Sequence, residues 1–123
     1  MEEFVLVADD DPAMRRLVQT VVEAEGFIAA TAIDGKEAYG VLKSGANIVL
    51  AVVDVLMPYI EGTELVKFMQ ADERFKDIPV IMMTGDRSAK LTGRVFSAGA
   101  IAFLPKPFTN AQLRATIQSL VAK

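Results

Sequence analysis

The sequence predicts a single α/β domain in which five short parallel strands carry helices on both faces, a doubly wound arrangement. Three observations predict it. Short apolar runs recur five times along the 123 residues. Each run is followed by a segment whose apolar residues repeat at helical spacing. The runs at 48–53 and 78–83 are almost wholly apolar rather than alternating, as strands covered on both faces should be.

Taken in order, residues 4–8 (FVLVA) form a short run rich in β-branched side chains and read as a buried strand. Asp11 before Pro12 matches a helix N-cap and first helical position. Met14, Leu17, Val18, Val21 and Val22 then make the stripe of an amphipathic helix, which Gly26 stops. Residues 27–33 form the second strand. Asp34 and Glu37 are spaced as a capping box, with Ala38, Val41 and Leu42 on the helical face behind them. The third strand spans 48–53, and the helix after it turns Leu65, Phe68 and Met69 inward. The fourth spans 78–83. The helix expected over 87–98 is weaker, because Gly93 in its interior costs about 1 kcal/mol relative to alanine. Residues 101–104 are the fifth strand. Thr109 and Gln112 form a second capping box, and the last helix is expected to bury Leu113, Ile117, Leu120 and Val121.

Composition narrows the function. The chain is 52% hydrophobic and 24% charged, ample for one core, and its net charge of −3 leaves no basic stripe for direct nucleic-acid binding. It has no cysteine and no histidine, which removes thiolate sites, the commonest metal ligand and the commonest general base at neutral pH. No apolar run is long enough to span a membrane, and the start MEEF lacks the basic character of a secretion signal. A cytoplasmic protein without membrane contact is the expectation.

In doubly wound sheets, ligands bind beyond the carboxyl ends of the strands. Asp9 and Asp10 end the first strand, Asp54 the third, Thr84 the fourth and Lys106 the fifth. Adjacent carboxylates repel by roughly 4 kcal/mol at 4 Å and an effective dielectric of 20, so either some of these acids point apart into water and cap a helix or the cluster holds something positive. Oxygen-only donors suit a hard ion, and Mg2+ fits best. Phosphoryl transfer to a carboxylate needs these same parts: Asp54 as nucleophile, Lys106 as a second positive charge and Thr84 as hydrogen-bond donor. Blander readings exist for each residue alone. Asp9 and Asp10 suit a solvated turn, Thr84 a polar strand end, Lys106 the surface and Phe103 the core. Asp11 is better read as a helix cap than as a ligand.

The motifs LVADDDP, VVDVLMP, VIMMTG and SAGAIAFLPKPF, in this order at the ends of strands one, three, four and five, resemble a CheY-like response-regulator receiver domain of two-component signalling. The resemblance covers essentially the whole chain, 1–123. It implies strand order 2-1-3-4-5 and a phosphoryl group donated by a sensor histidine kinase or a histidine phosphotransfer protein. Asp54 would be the phosphoacceptor, Asp10 would bind Mg2+ directly, and Asp9 directly or through water. The backbone carbonyl of Leu56 would complete the coordination. Thr84 and Lys106 would take the switch and phosphate-pairing roles, Phe103 would be the rotating aromatic, and the Lys106–Pro107 bond would be cis. Leu56 and Asp86 occupy positions that tune hydrolysis, and an apolar cover at Leu56 is expected to slow it.

The output face implied by the resemblance is helix four, strand five and helix five. Glycines at both ends of GDRSAKLTG lower local stability there. Nothing follows the fifth helix, so a stand-alone receiver acting on a downstream protein is expected, with no output domain; an amino-terminal fragment of a larger regulator is the alternative. Among rival functions are a degenerate receiver that binds partners without phosphorylation, a small Mg2+ phosphatase and a flavodoxin-like cofactor binder. The phosphatase usually carries an aspartate where Leu56 stands, and ADDDP would repel a flavin phosphate.

Overall fold

Strand and helix alternate through ten elements in the computed structural model, which describes residues 2–85 and 89–121, and at 89 and 90 the backbone alone. They are β1 (Phe4–Ala8), α1 (Pro12–Ala24), β2 (Ile28–Ala32), α2 (Gly35–Leu42), β3 (Ile48–Asp54), α3 (Gly62–Ala71), β4 (Val80–Thr84), α4 (Ala89–Ala98), β5 (Ala102–Pro105) and α5 (Asn110–Leu120). All pairings are parallel and the sheet order is β2-β1-β3-β4-β5. The order reverses between β1 and β3, the place beyond whose carboxyl ends doubly wound sheets bind their ligands.

Strand alternation divides the core in two. Leu6, Ala8, Ala51, Val53, Val80 and Met82 face α2, α3 and α4, where Leu42, Leu65, Met69 and Val95 cover them. Val5, Val7, Leu50, Val52, Ile81 and Met83 face α1 and α5, against Val18, Val22, Leu113 and Ile117. Burying each of the valine, leucine, isoleucine and methionine side chains contributes about 1.5–3 kcal/mol, so the central strands need no polar face.

Local signals set the helix ends. Asp11 caps α1, its carboxylate accepting from the amide of Ala13 at 3.0 Å, and Gly26 (φ 92°) turns the chain back in the left-handed region open to glycine. Thr109 and Gln112 close a reciprocal capping box on α5. The box at α2 is altered. Asp34 accepts from Glu37 N at 2.8 Å, but the Glu37 carboxylate accepts from Ile33 N, one residue before the cap.

Several boundaries differ from expectation. β4 starts at Val80 rather than residue 78, because Pro79 has no N–H for the ladder; its carbonyl still accepts from Ala51 N at 3.0 Å. β2 is Ile28–Ala32, shorter by one residue at each end than 27–33. β3 runs on to Asp54, and β5 is shifted to Ala102–Pro105, which leaves Ile101 exposed. Residues 87 and 88, expected to open the fourth helix, lie outside the described residues. Met14, Leu17, Val41, Phe68 and Leu120 are half-buried rather than sealed, since each sits at the margin of its helix's apolar stripe; Val121, also half-buried, follows α5 as its C-cap. Among the described residues, no helix is long and apolar enough to cross a membrane.

Candidate functional site

The parallel sheet brings Asp9, Asp54, Thr84 and Lys106 to one rim, the carboxyl ends of β1, β3, β4 and β5. Asp9 extends the β1 ladder by one bond, its amide donating to Ala32 O at 3.1 Å. Successive side chains leaving a strand point to opposite sides, and the two neighbouring acids differ accordingly: Asp9 is fully buried and Asp10 is exposed. Asp54, the last residue of β3, is only 7% exposed. Lys106 follows β5 and donates its backbone N–H to Thr84 O at 2.7 Å, joining the ends of β4 and β5. The Lys106–Pro107 bond is cis.

The Lys106 ammonium bridges the two buried acids, donating to Asp9 Oδ2 at 3.1 Å and to Asp54 Oδ2 at 3.3 Å. The other oxygens are held by backbone: Asp9 Oδ1 accepts from Asp11 N at 2.9 Å, and Asp54 Oδ1 accepts from Leu56 N at 3.4 Å. Carboxylate oxygens of Asp9, Asp10 and Asp54 lie within 4.8 Å of one another. With all three ionised, the ammonium leaves a net charge of about −2, which a divalent ion would neutralise. The donors are all carboxylate oxygens, the chemistry a hard cation such as Mg2+ prefers, so the residues present fit that ion.

The crowding has an electrostatic signature. Burial, reinforced by the Asp9 carboxylate, pushes Asp54 from the usual 3.8 up to about 6, although Lys106 pulls the other way. For Lys106, burial disfavours the cation, but Asp54 and Asp9 outweigh it and raise its pKa above 10.5. Asp54 is thus a carboxylate at neutral pH held at a cost, while the lysine stays charged.

The remaining candidates lie around this centre. Thr84 is buried at the end of β4, beside Pro105 in the register. Phe103 is half-buried on β5 and packs against the core face under α2, α3 and α4. The Leu56 side chain is 62% exposed, so it stands in solvent at the rim. Asp86 lies outside the described residues.

Three supporting residues escaped the sequence reading. Arg15, one turn into α1, donates from Nη1 to the Asp9 carbonyl at 2.9 Å and pins the acidic turn to the helix. Gly62 donates to Val55 O at 2.9 Å, and a Cβ there would overlap Asp54 O and lie 2.8 Å from Met82 Cε; only glycine lets α3 start so close to the backbone of Asp54. Tyr59 takes φ 69°, an uncommon left-handed conformation for a bulky residue, in the loop between Asp54 and α3. The glycine in PYIEGTE was a visible signal for the second; nothing local marked the other two.

Residues 5–118 match the model of the response regulator receiver domain. The chain is 34% identical to the chemotaxis protein CheY of Pseudomonas aeruginosa over 117 residues, 94% of each chain. It is equally 34% identical over 117 residues to the transcriptional regulatory protein FixJ of Bradyrhizobium diazoefficiens, and there spans 95% of this chain but only 56% of the relative. Among solved structures, the chemotaxis response regulator CheY4 of Vibrio cholerae superposes with a TM-score of 0.89 at 30% identity, covering 98% of this chain and 100% of the other. The strand order with its reversal between β1 and β3, the acidic cluster bridged by Lys106 and similarity along nearly the full length agree: the chain belongs to the response regulator receiver domain family.

Proposed function

We propose that this receiver accepts a phosphoryl group on Asp54 from a phosphohistidine of a sensor histidine kinase or histidine phosphotransfer protein. The carrying observation is the bridge from Lys106 Nζ to both Asp9 and Asp54, with Asp10 beside them. An Asp54 carboxylate oxygen attacks phosphorus, the P–N bond to the donor's imidazole breaks, and the leaving nitrogen takes up a proton from solvent. Asp54 is suited to this because it is ionised at neutral pH yet poorly solvated. Lys106 stabilises the charge that develops on the phosphoryl oxygens. Asp9, Asp10, Asp54 and the Leu56 carbonyl would hold Mg2+, which when bound supplies charge neutralisation for crowded acids and phosphoryl oxygens alike. Hydrolysis by water then returns phosphate and the free carboxylate.

Thr84 donates its hydroxyl to a phosphoryl oxygen, drawing the end of β4 inward, and Phe103 turns towards the space vacated. The α4–β5–α5 face thereby changes shape for a downstream protein, a two-state switch with a gap of a few kcal/mol. The protein acts as a signalling phosphoacceptor in the cytoplasm rather than as an enzyme with turnover. The relatives include a chemotaxis protein and a transcriptional regulator, so the receiver reading does not depend on one output.

The test is intact mass after incubation with Mg2+ and acetyl phosphate. Gain of one phosphoryl group, abolished in Asp54→Asn, supports the proposal. No adduct on the wild type favours a phosphorylation-independent interaction module, and turnover of diverse phosphoesters favours a phosphatase.

A further inference from the structure

α4 carries an aromatic ring that its own packing does not require. Leu91, Val95 and Ala98 supply the buried stripe of this helix, whereas Phe96 is 46% exposed. Its ring centroid lies 6.5 Å from that of Phe103, tilted by 45°, a geometry in which aromatic pairs attract. Two further features of α4 among the described residues are weak. Gly93 sits in its interior with open space where a Cβ would go, so no steric need explains this helix-weakening residue. Its ion pair to the start of α3, Arg94 to Glu61 at 3.6 Å, is exposed on both sides and contributes little.

We propose that Phe96 is a positioning residue for the switch: its ring holds Phe103 in the resting orientation and so sets how readily the site accepts a phosphoryl group. The proposal rests on the reading of Phe103 as the aromatic that turns. The Phe96–Phe103 contact exists in the orientation described here and is given up when Phe103 moves towards Thr84. Any ligand that demands the turned state must therefore overcome it, and by linkage its loss tightens that ligand's binding. A tilted aromatic pair is worth about a two- to tenfold change in such an equilibrium.

The experiment is calorimetric titration of the folded protein with beryllofluoride, a tetrahedral mimic of a carboxylate-bound phosphoryl group, in saturating Mg2+. Phe96→Ala is expected to lower the beryllofluoride Kd about two- to tenfold while the Kd for Mg2+ alone stays unchanged. Phe96→Tyr, which keeps the ring, is expected to match the wild type. The effect of Phe96→Ala is expected to vanish in a Phe103→Leu background, where there is no ring to hold. A wild type that takes up no beryllofluoride overturns the phosphoacceptor reading and this proposal with it. Uptake indifferent to Phe96→Ala, an effect that persists in Phe103→Leu, or an equal change in Mg2+ affinity overturns the proposal alone.

Discussion

Asp54→Asn is expected to stabilise the metal-free protein at neutral pH, although it removes the residue on which the proposed function depends. Asp54 titrates near 6 in the folded chain against 3.8 ordinarily, raised first by burial and then by Asp9. The sign follows from linkage. Below about pH 3 the carboxyl is protonated folded and unfolded, so it contributes no difference. Between about 4 and 6 only the unfolded chain ionises, and stability falls as pH rises. Above about 6 the full penalty is present, roughly 2–3 kcal/mol. Asparagine carries no charge to desolvate and can still accept from Lys106, which keeps Asp9 as its ion partner at 3.1 Å. Urea denaturation in EDTA should therefore find the two proteins equal near pH 3 and the variant about 2–3 kcal/mol more stable at pH 8. Adding Mg2+ should stabilise the wild type more than the variant and narrow the gap. A variant that is less stable at pH 8, or a difference independent of pH, would refute the reasoning.

Lys106→Met acts in the opposite sense: it leaves Asp9 and Asp54 buried without their shared cation, and above pH 6 should cost about 3–5 kcal/mol in EDTA. Mg2+ should restore much of that loss in the same denaturation assay. Gly62→Ala should destabilise by about 1–3 kcal/mol and reduce acetyl-phosphate labelling, because the added methyl overlaps the Asp54 carbonyl and crowds Met82; a thermal melt with intact mass reads both. Thr109→Ala removes one side of the α5 capping box and should cost about 1 kcal/mol with labelling unchanged.

The fold was largely legible because its signals are local. Asp11 before Pro12 and Thr109 with Gln112 cap helices through bonds that span two or three residues, and both are present as expected. Where a signal had a second option, local reading fell short. Glu37 reached Ile33 N rather than the Asp34 amide, and Pro79 held the start of β4 to Val80. The site residues were legible as strand ends, but not as partners. Asp9 and Lys106 stand 97 positions apart, and no local pattern states that one ammonium serves two acids. Arg15 carried no sequence signal of its role, because its bond to the Asp9 carbonyl depends on how α1 leaves the sheet.

By itself the sequence determined which residues stand at the carboxyl ends of the strands, since apolar periodicity places strand ends and the chemistry of Asp9, Asp10, Asp54, Thr84 and Lys106 travels with them. Only the tertiary structure decided what those residues became. It buried Asp9 and left Asp10 in water, it set Lys106 between two carboxylates, and it raised Asp54 to about 6. The reason is that burial and Coulomb energy depend on distance in space, which the order of the strands in the sheet sets and the order of residues in the chain does not.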